Sequence, residues 1–166
     1  MKTGYHAPAA PNKKEFKDAR ILILATRWNV EIVDALIKGA RECLRDWGVP
    51  DQNVELMRAP GAYELPLAAS VALESGYFDA VIALGAVIRG DTPHFDFVAG
   101  ECARGLMDVQ LTNSAPVGFG VLTVNTFEQA EERAQPGKGN KGYECAQAVL
   151  EMLRFAAELA PEAGSK

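Results

Sequence analysis

A turn near the middle of the chain combines residue types that can bind an anion and transfer a proton. The stretch ALGAVIRGDTPHFD runs from an apolar segment into Gly90, Asp91 and Thr92, followed by Pro93 and His94. Proline suits the first turn of a helix, so the preceding backbone N–H groups are expected at a helix N-terminus, where they can hold an anion. Asp91 or Thr92 can also cap that helix, and the two uses are compatible.

His94 is the only histidine besides His6. Imidazole is the side chain best suited to acid–base chemistry near neutral pH. A lone histidine is more often structural, but its place beside the predicted anion-binding turn supports proton transfer, so both roles stay open.

Two earlier turns carry groups suited to a ligand with a flat ring and several hydroxyls. In TRWNVE, Trp28 and Asn29 follow an apolar run, and an exposed indole there can stack on a ring. The alternative is a tryptophan lying over the helix below it. In APGAYE, Glu64 can accept several hydroxyl donors, or it can be an acidic residue favoured in a first helical turn.

A fourth region is rich in positive charge. Arg133 ends the run EQAEERA, and Lys138 and Lys141 lie among glycines in GKGNKG. Fixed positive charge can hold a phosphate, although a charged loop is often merely solvated.

Four apolar runs must position these turns: ILILAT (21–26), VELMRA (54–59), DAVIALGAVI (79–88) and VGFGVLTV (117–124). They alternate with helical patterns, which predicts an α/β, doubly wound, flavodoxin-like fold with a four-stranded parallel sheet and helices on both faces. VELMRA alternates and is expected at an edge, whereas the other three runs are expected to be covered on both faces. The helical patterns lie at 30–47, from Gly61 and Pro66 through Ser75, over Phe97 to Val109, and at 127–134 and 141–160.

The chain of 166 residues is divided into a flexible N-terminal arm (1–16), a single α/β domain (17–160) and a tail (161–166). A net charge of −5 makes nucleic acid an improbable partner. Three widely spaced cysteines and two histidines offer no metal site. Since no apolar run has the length of a signal or membrane segment, we expect a cytoplasmic protein without membrane contact.

The four turns, in this order, resemble the lumazine synthase family. The resemblance covers about residues 20–158 and is carried by RWNVEIVDALIKGA, APGAYELP, LGAVIRGDTPHFD, FGVLTVNTFEQAEERA and GNKGYECA. It implies condensation of 5-amino-6-(D-ribitylamino)uracil with 3,4-dihydroxy-2-butanone 4-phosphate, with release of phosphate and water and without a cofactor. The product would be 6,7-dimethyl-8-ribityllumazine, and the reaction the penultimate step of riboflavin biosynthesis.

The resemblance also implies roles by position. The ring and ribityl chain would be bound by Trp28, Asn29, Gly61, Ala62, Tyr63, Glu64, Ala86, Val87 and Ile88, and the phosphate by Gly90, Asp91, Thr92 and Arg133. The proton would be transferred by His94. Phe119, Lys141 and Glu144 would come from a neighbouring subunit, so the active sites would lie between subunits of a homo-oligomer built from pentamers.

The resemblance leaves several alternatives open. Trp28 stands where many members have Phe, so its larger face could also retain riboflavin, and Pro93 replaces a frequent Thr. A non-catalytic flavin carrier and a module acting through protein contacts are the competing functions. Arg89 is assigned to a structural or intersubunit ion pair. Pentamer, decamer and sixty-subunit shell are not distinguished, nor is a paralogue for the same step.

Overall fold

One parallel sheet forms the centre of the fold. The computed structural model describes residues 4–12 and 14–161. Its strands are β1 (Ile21–Thr26), β2 (Val54–Ala59), β3 (Ala80–Ile88) and β4 (Val117–Val124), in the order β2-β1-β3-β4. All three neighbouring pairs are parallel, as predicted.

Five helices connect and cover these strands. They are α1 (Val30–Asp46), α2 (Leu65–Glu74), α3 (His94–Asn113), α4 (Phe127–Arg133) and α5 (Lys141–Leu159), with short 3-10 turns at Asp51–Asn53 and Ala62–Glu64. The helical patterns in the sequence are therefore confirmed to within a few residues at most ends. The third helix begins at His94, directly after Pro93, where the proline predicted its first turn.

Hydrophobic side chains of β1 alternate between two cores. Ile21 and Ile23 pack in a cluster that includes α1 and α5, whereas Leu22 and Leu24 pack in a second cluster with α2 and α3. Because successive side chains of a strand point to opposite faces, a continuous apolar run is what a strand covered by helices on both faces requires. The doubly wound, flavodoxin-like arrangement is confirmed.

Both edges of the sheet expose apolar side chains. β2 lies at one edge, as predicted, and β4 at the other. The expectation that β4 is covered on both faces was wrong, because Phe119 is 47% exposed. The inward positions on either side of Phe119 are occupied by glycines and not by large buried side chains. An added Cβ at Gly118 would lie 2.6 Å from Cys145 Sγ, and one at Gly120 would lie 2.4 Å from Leu84 Cδ2. These glycines let the core and α5 pack closely against the strand.

The N-terminal segment contacts its own subunit. Phe16 is 4% exposed and its ring centroid lies 5.8 Å from that of Trp47. Arg154 of α5 forms an ion pair with Glu15 at 2.5 Å and donates to the carbonyl of Ala9 at 3.1 Å. The last residue assigned to the arm is thus part of the core. Residues 1–3 and 13 of the arm and 162–166 of the tail lie outside the described residues.

Candidate active site

An open cleft of about 640 Å³ lies at the carboxyl ends of β1 and β3, and we call it the turn cleft. The chain leaves β1 for β2 on one side and returns to β3 on the other, so the cleft occupies the switch point where ligands bind in doubly wound sheets. It is lined by Thr26, Trp28, Asn29, Gly61, Ala62, Tyr63, Glu64, Ala86, Val87, Ile88, Gly90, Thr92, His94, Phe95, Phe97 and Val98.

The turn cleft brings together nearly all site residues predicted from the first three turns. Asp91 is the exception, since it does not line the cleft. Sequence reasoning missed Thr26, Phe95, Phe97 and Val98 as lining residues. The start of α3 at His94 provides the signal for two of them, because residues three and four positions later lie on the same side of a helix.

Trp28 presents its indole to solvent. The residue is 73% exposed, so it does not lie buried over the helix below. A Cβ added to Gly61 would lie 3.5 Å from Trp28 Cδ1 and 3.2 Å from Glu64 Oε2. Because Gly61 has no side chain, the edge of the Trp28 indole and the Glu64 carboxylate can both lie beside its backbone.

Asn29 links the first turn to the third strand. It adopts a left-handed conformation (φ 52°, ψ 51°), which asparagine tolerates better than most residues. Its side chain does not cap α1; instead Nδ2 donates to the carbonyl oxygen of Ala86 at 3.0 Å. The turn that carries Trp28 is therefore tied to the strand whose end forms the opposite wall.

Gly90, Asp91 and Thr92, which the sequence predicts to form an anion-binding turn, follow β3. Within residues 4–12 and 14–161, the backbone N–H groups of Gly90, Asp91 and Thr92 meet no acceptor and are available to a ligand. Pro93 immediately precedes α3, with φ −66° and ψ −2°. The His94 N–H donates to Thr92 Oγ1 at 3.4 Å, so Thr92, rather than Asp91, contacts the start of the helix.

Arg89 is held within its own subunit. Its Nη2 lies 3.0 Å from Asp96 Oδ1, and its Nε donates to Asn125 Oδ1 at 3.2 Å. The guanidinium carbon also lies 4.2 Å from the centroid of the Phe95 ring. The predicted structural ion pair is confirmed, and it connects the start of α3 to the turn after β4.

A second cleft, of about 370 Å³, runs along β4, and we call it the edge cleft. It contains Phe119, Arg133, Lys141 and Glu144, together with residues 120–124 and Cys145. Among the residues that the structure describes, none lines both clefts. Arg133 thus lies with Lys141 in the edge cleft, and not with His94 in the turn cleft of the same subunit.

Asn140 sets the position of the edge cleft. It is 2% exposed; its Nδ2 donates to the Ala134 carbonyl at 2.8 Å, and its Oδ1 accepts from the Gly142 N–H at 2.8 Å. It therefore ends α4 and caps α5 with one side chain. Lys141 follows at once, with Nζ 2.5 Å from Glu144 Oε2, and Arg133 donates to the Gln129 carbonyl at 2.9 Å.

Comparison with models of protein families places residues 18–157 in one of them, described as 6,7-dimethyl-8-ribityllumazine synthase. The chain belongs to this family. The match spans every residue of the turn cleft and of the edge cleft. Membership confirms the resemblance and supports a role in riboflavin biosynthesis as a transferase.

The buried cysteines of this lumazine synthase family member are not reactive groups. Burial raises the pKa of the Cys145 thiol to about 12 and that of Cys102 to about 11, so neither is a nucleophile near neutral pH. In the described parts of the chain, no three His, Cys, Asp or Glu side chains form a group that could hold a metal ion. The helices in those parts also include none long and apolar enough to cross a membrane.

Proposed function

We propose that the protein condenses 5-amino-6-(D-ribitylamino)uracil with 3,4-dihydroxy-2-butanone 4-phosphate to form 6,7-dimethyl-8-ribityllumazine. One observation carries this proposal: the turn cleft combines an exposed indole, a carboxylate, a helix start and the imidazole of His94. Its volume of about 640 Å³ suits a small-molecule ligand. The phosphate and water released are products, and the chemistry requires no cofactor.

The first substrate fits the first two turns. Its pyrimidine would stack on Trp28, beside the walls formed by Val87 and Ile88. Its ribityl hydroxyls would donate to Glu64, because an ionised carboxylate accepts several hydrogen bonds. One ligand can make both contacts, because the indole edge and the carboxylate both lie beside the backbone of Gly61.

The phosphate of the second substrate fits the third turn. The N–H groups of Gly90 to Thr92 meet no acceptor in the described residues, and they precede α3. A phosphate there is favoured both by hydrogen bonds and by the helix dipole. Holding the phosphate fixes the carbonyl carbon near the attacking amine, which replaces an encounter in solution by a near-attack geometry.

The edge cleft completes the site from a neighbouring subunit. Arg133, Lys141 and Phe119 lie together in a cleft that the same subunit's His94 does not reach. A head-to-tail ring would set the edge cleft of one subunit against the turn cleft of the next, which is the pentamer arrangement we propose. Arg133 and Lys141 would then add positive charge at the phosphate, and Phe119 would cover the ring.

The reaction would proceed through a Schiff base. The amine of the uracil attacks the ketone carbonyl with loss of water, phosphate is then eliminated, and ring closure releases a second water. His94, exposed in the turn cleft at the start of α3, would move the protons between amine, carbonyl oxygen and enol.

One assay tests this proposal. The purified protein is mixed with both substrates, and lumazine fluorescence and free phosphate are recorded together. Equal rates of appearance of the two products are expected. Release of phosphate without lumazine, or no product in folded protein, would contradict the proposed condensation.

Exposure of Trp28 favours one competing function, a flavin carrier. A carrier would bind riboflavin, quench its fluorescence and leave the two substrates unreacted. Titration of riboflavin beside the substrate assay distinguishes carrier from enzyme. Binding with turnover would instead indicate that the enzyme retains riboflavin on Trp28. Cytoplasmic localisation remains a prediction.

A further inference from the structure

Arg58 contacts both ends of the segment that carries Trp28. It lies on the edge strand β2, opposite Ala25 of β1. Its Nη1 donates to the carbonyl oxygen of Thr26, the last residue of β1, at 2.9 Å, and its Nη2 contacts Asp34 Oδ1 in α1. Arg58 itself does not line the turn cleft.

The ends of the bridged segment are buried at Thr26 and Val33, whereas its middle, residues 27–31, is exposed and is tied to the rest of the fold by the Asn29–Ala86 bond. Asn29 precedes α1, but its side chain does not cap the helix, because it donates to the Ala86 carbonyl instead. Trp28 is 73% exposed and so receives little support from packing. A guanidinium is a planar fork that can bond in two directions at once, which an ammonium on a flexible stem cannot reproduce.

We propose that Arg58, together with Asp34, is a positioning residue that holds the indole of Trp28 in place for stacking. The inference rests on the proposed function for its ligand, but its structural part does not. A partly exposed ion pair alone contributes little, so the bond to the Thr26 carbonyl is the essential contact. An indole that is already ordered loses less entropy when the ring binds, and Arg58 thereby favours the ring substrate specifically.

The structural part is tested by tryptophan fluorescence. The chain has two tryptophans, so Trp47→Phe leaves Trp28 as the only one; Trp47→Tyr serves if that background does not fold. Time-resolved anisotropy should show a larger nanosecond component after Arg58→Met. Arg58→Lys and Asp34→Asn should give intermediate increases. Arg45→Met, which removes an exposed arginine near the far end of α1, is the control and should leave the decay unchanged.

The functional part is tested by separating the two substrates. In Arg58→Met, KM for the ribitylaminouracil should rise about tenfold, the loss expected for hydrogen bonds to a charged group. KM for the butanone phosphate and kcat should stay within about twofold, and Arg58→Lys should recover only part of the loss. A merely structural role would instead change the melting temperature and both KM values together.

The possible failures are distinguishable. If the enzyme makes no lumazine but anisotropy responds to Arg58, the proposed function fails and the positioning of Trp28 stands. Unchanged anisotropy and unchanged KM in folded Arg58→Met would overturn the proposal. If Arg58→Met does not fold, the same two results in Arg58→Lys and Asp34→Asn decide the question.

Discussion

Arg89 and Asp96 pair across the anion-binding turn, with Nη2 3.0 Å from Oδ1. The pair spans Gly90 to Thr92 and ties the end of β3 to the first turn of α3. The guanidinium is also bonded to Asn125. Arg89 therefore supports the turn while Asp96 partly neutralises its charge, and under the proposed function the phosphate would be held by the backbone N–H groups of Gly90 to Thr92.

Replacement of Arg89 by methionine should impair phosphate binding. Loss of the pair frees the turn, and we expect KM for the butanone phosphate to rise by about tenfold or less, because partly exposed ion pairs contribute little each. KM for the uracil substrate should be unchanged. Steady-state kinetics with each substrate varied in turn give both constants. Arg104→Met removes another exposed arginine, which pairs with two carboxylates within α3, and is the matched control; an equal effect there would contradict the assignment.

Gly61→Ala should disturb ring and ribityl binding without unfolding the chain. The new Cβ would lie 3.2 Å from Glu64 Oε2, so the carboxylate must shift by a few tenths of an ångström. Backbone strain is not introduced, since φ is −162°. KM for the uracil substrate should rise by up to about 10²-fold, the effect of displaced binding groups.

The control for Gly61→Ala is Gly100→Ala. An added Cβ at Gly100 meets no atom within 4 Å. Because alanine is a better helix former than glycine, this variant should be slightly more stable and equally active. Thermal unfolding and kinetics of both variants check the comparison. Unchanged kinetics in Gly61→Ala would show that Glu64 and Trp28 do not bind the ligand together.

Mixing two inactive variants should restore activity if sites form between subunits. In His94→Ala, kcat should fall by about 10² to 10⁴, the usual contribution of acid–base assistance. Arg133→Ala should weaken binding of the butanone phosphate. His94 lies in the turn cleft and Arg133 in the edge cleft. After joint refolding at equal amounts, roughly a quarter of the head-to-tail interfaces would carry both intact halves.

The activity of the mixture, compared with that of the unmixed variants, measures this restoration. A double variant carrying both substitutions, mixed with wild type, is the control for subunit exchange. Activity no higher than the average of the two variants would show that both clefts act within one subunit.

Acid should release the N-terminal segment before it unfolds the domain. The Arg154 guanidinium lowers the pKa of Glu15 below its ordinary value of 4.5. A group with a lowered pKa in the folded state stabilises the fold above its unfolded pKa, and that contribution is lost as pH falls through the folded pKa. Cleavage of the segment by an acid-active protease should therefore accelerate below about pH 4.5, the ordinary glutamate pKa. Glu15→Gln should be cleaved at the faster rate above pH 4.5 as well, throughout the pH range in which the protease is active; a pH dependence equal to that of wild type in this variant would rule out Glu15 as the titrating group.

The sheet and the turn cleft are predictable from the sequence for a simple physical reason. Parallel strands covered on both faces need continuous apolar runs, and their carboxyl ends meet at one edge. Trp28, Glu64 and His94 therefore converge although they are far apart in the chain. This reasoning fails at Phe119. Gly118 and Gly120 make β4 look like a continuous apolar run, although the side chain between them is exposed.

Contacts between elements were beyond sequence reasoning. Arg58 reaches Thr26 because of the β1–β2 register, which no local pattern encodes. The separation of Arg133 from His94 depends on where α4 lies relative to β3, and this follows from packing, not from spacing. Both could be found only once the strands were placed beside one another.

The buried Asn140 limits where foreign sequence can be inserted for display on the surface. Lys138 and Gly139 are exposed, and Gly137 adopts φ +107° with no atom near its Cβ position. A peptide grafted between Gly137 and Gly139 would part the Asn140 N–H from the Gly137 carbonyl, but it would leave Asn140 beside Gly142 at the start of α5. A graft between Asn140 and Lys141 would instead part Asn140 from Gly142, whose close approach to Leu36 leaves no room for adjustment. The more tolerant and the intolerant positions of this loop thus lie within a few residues of each other.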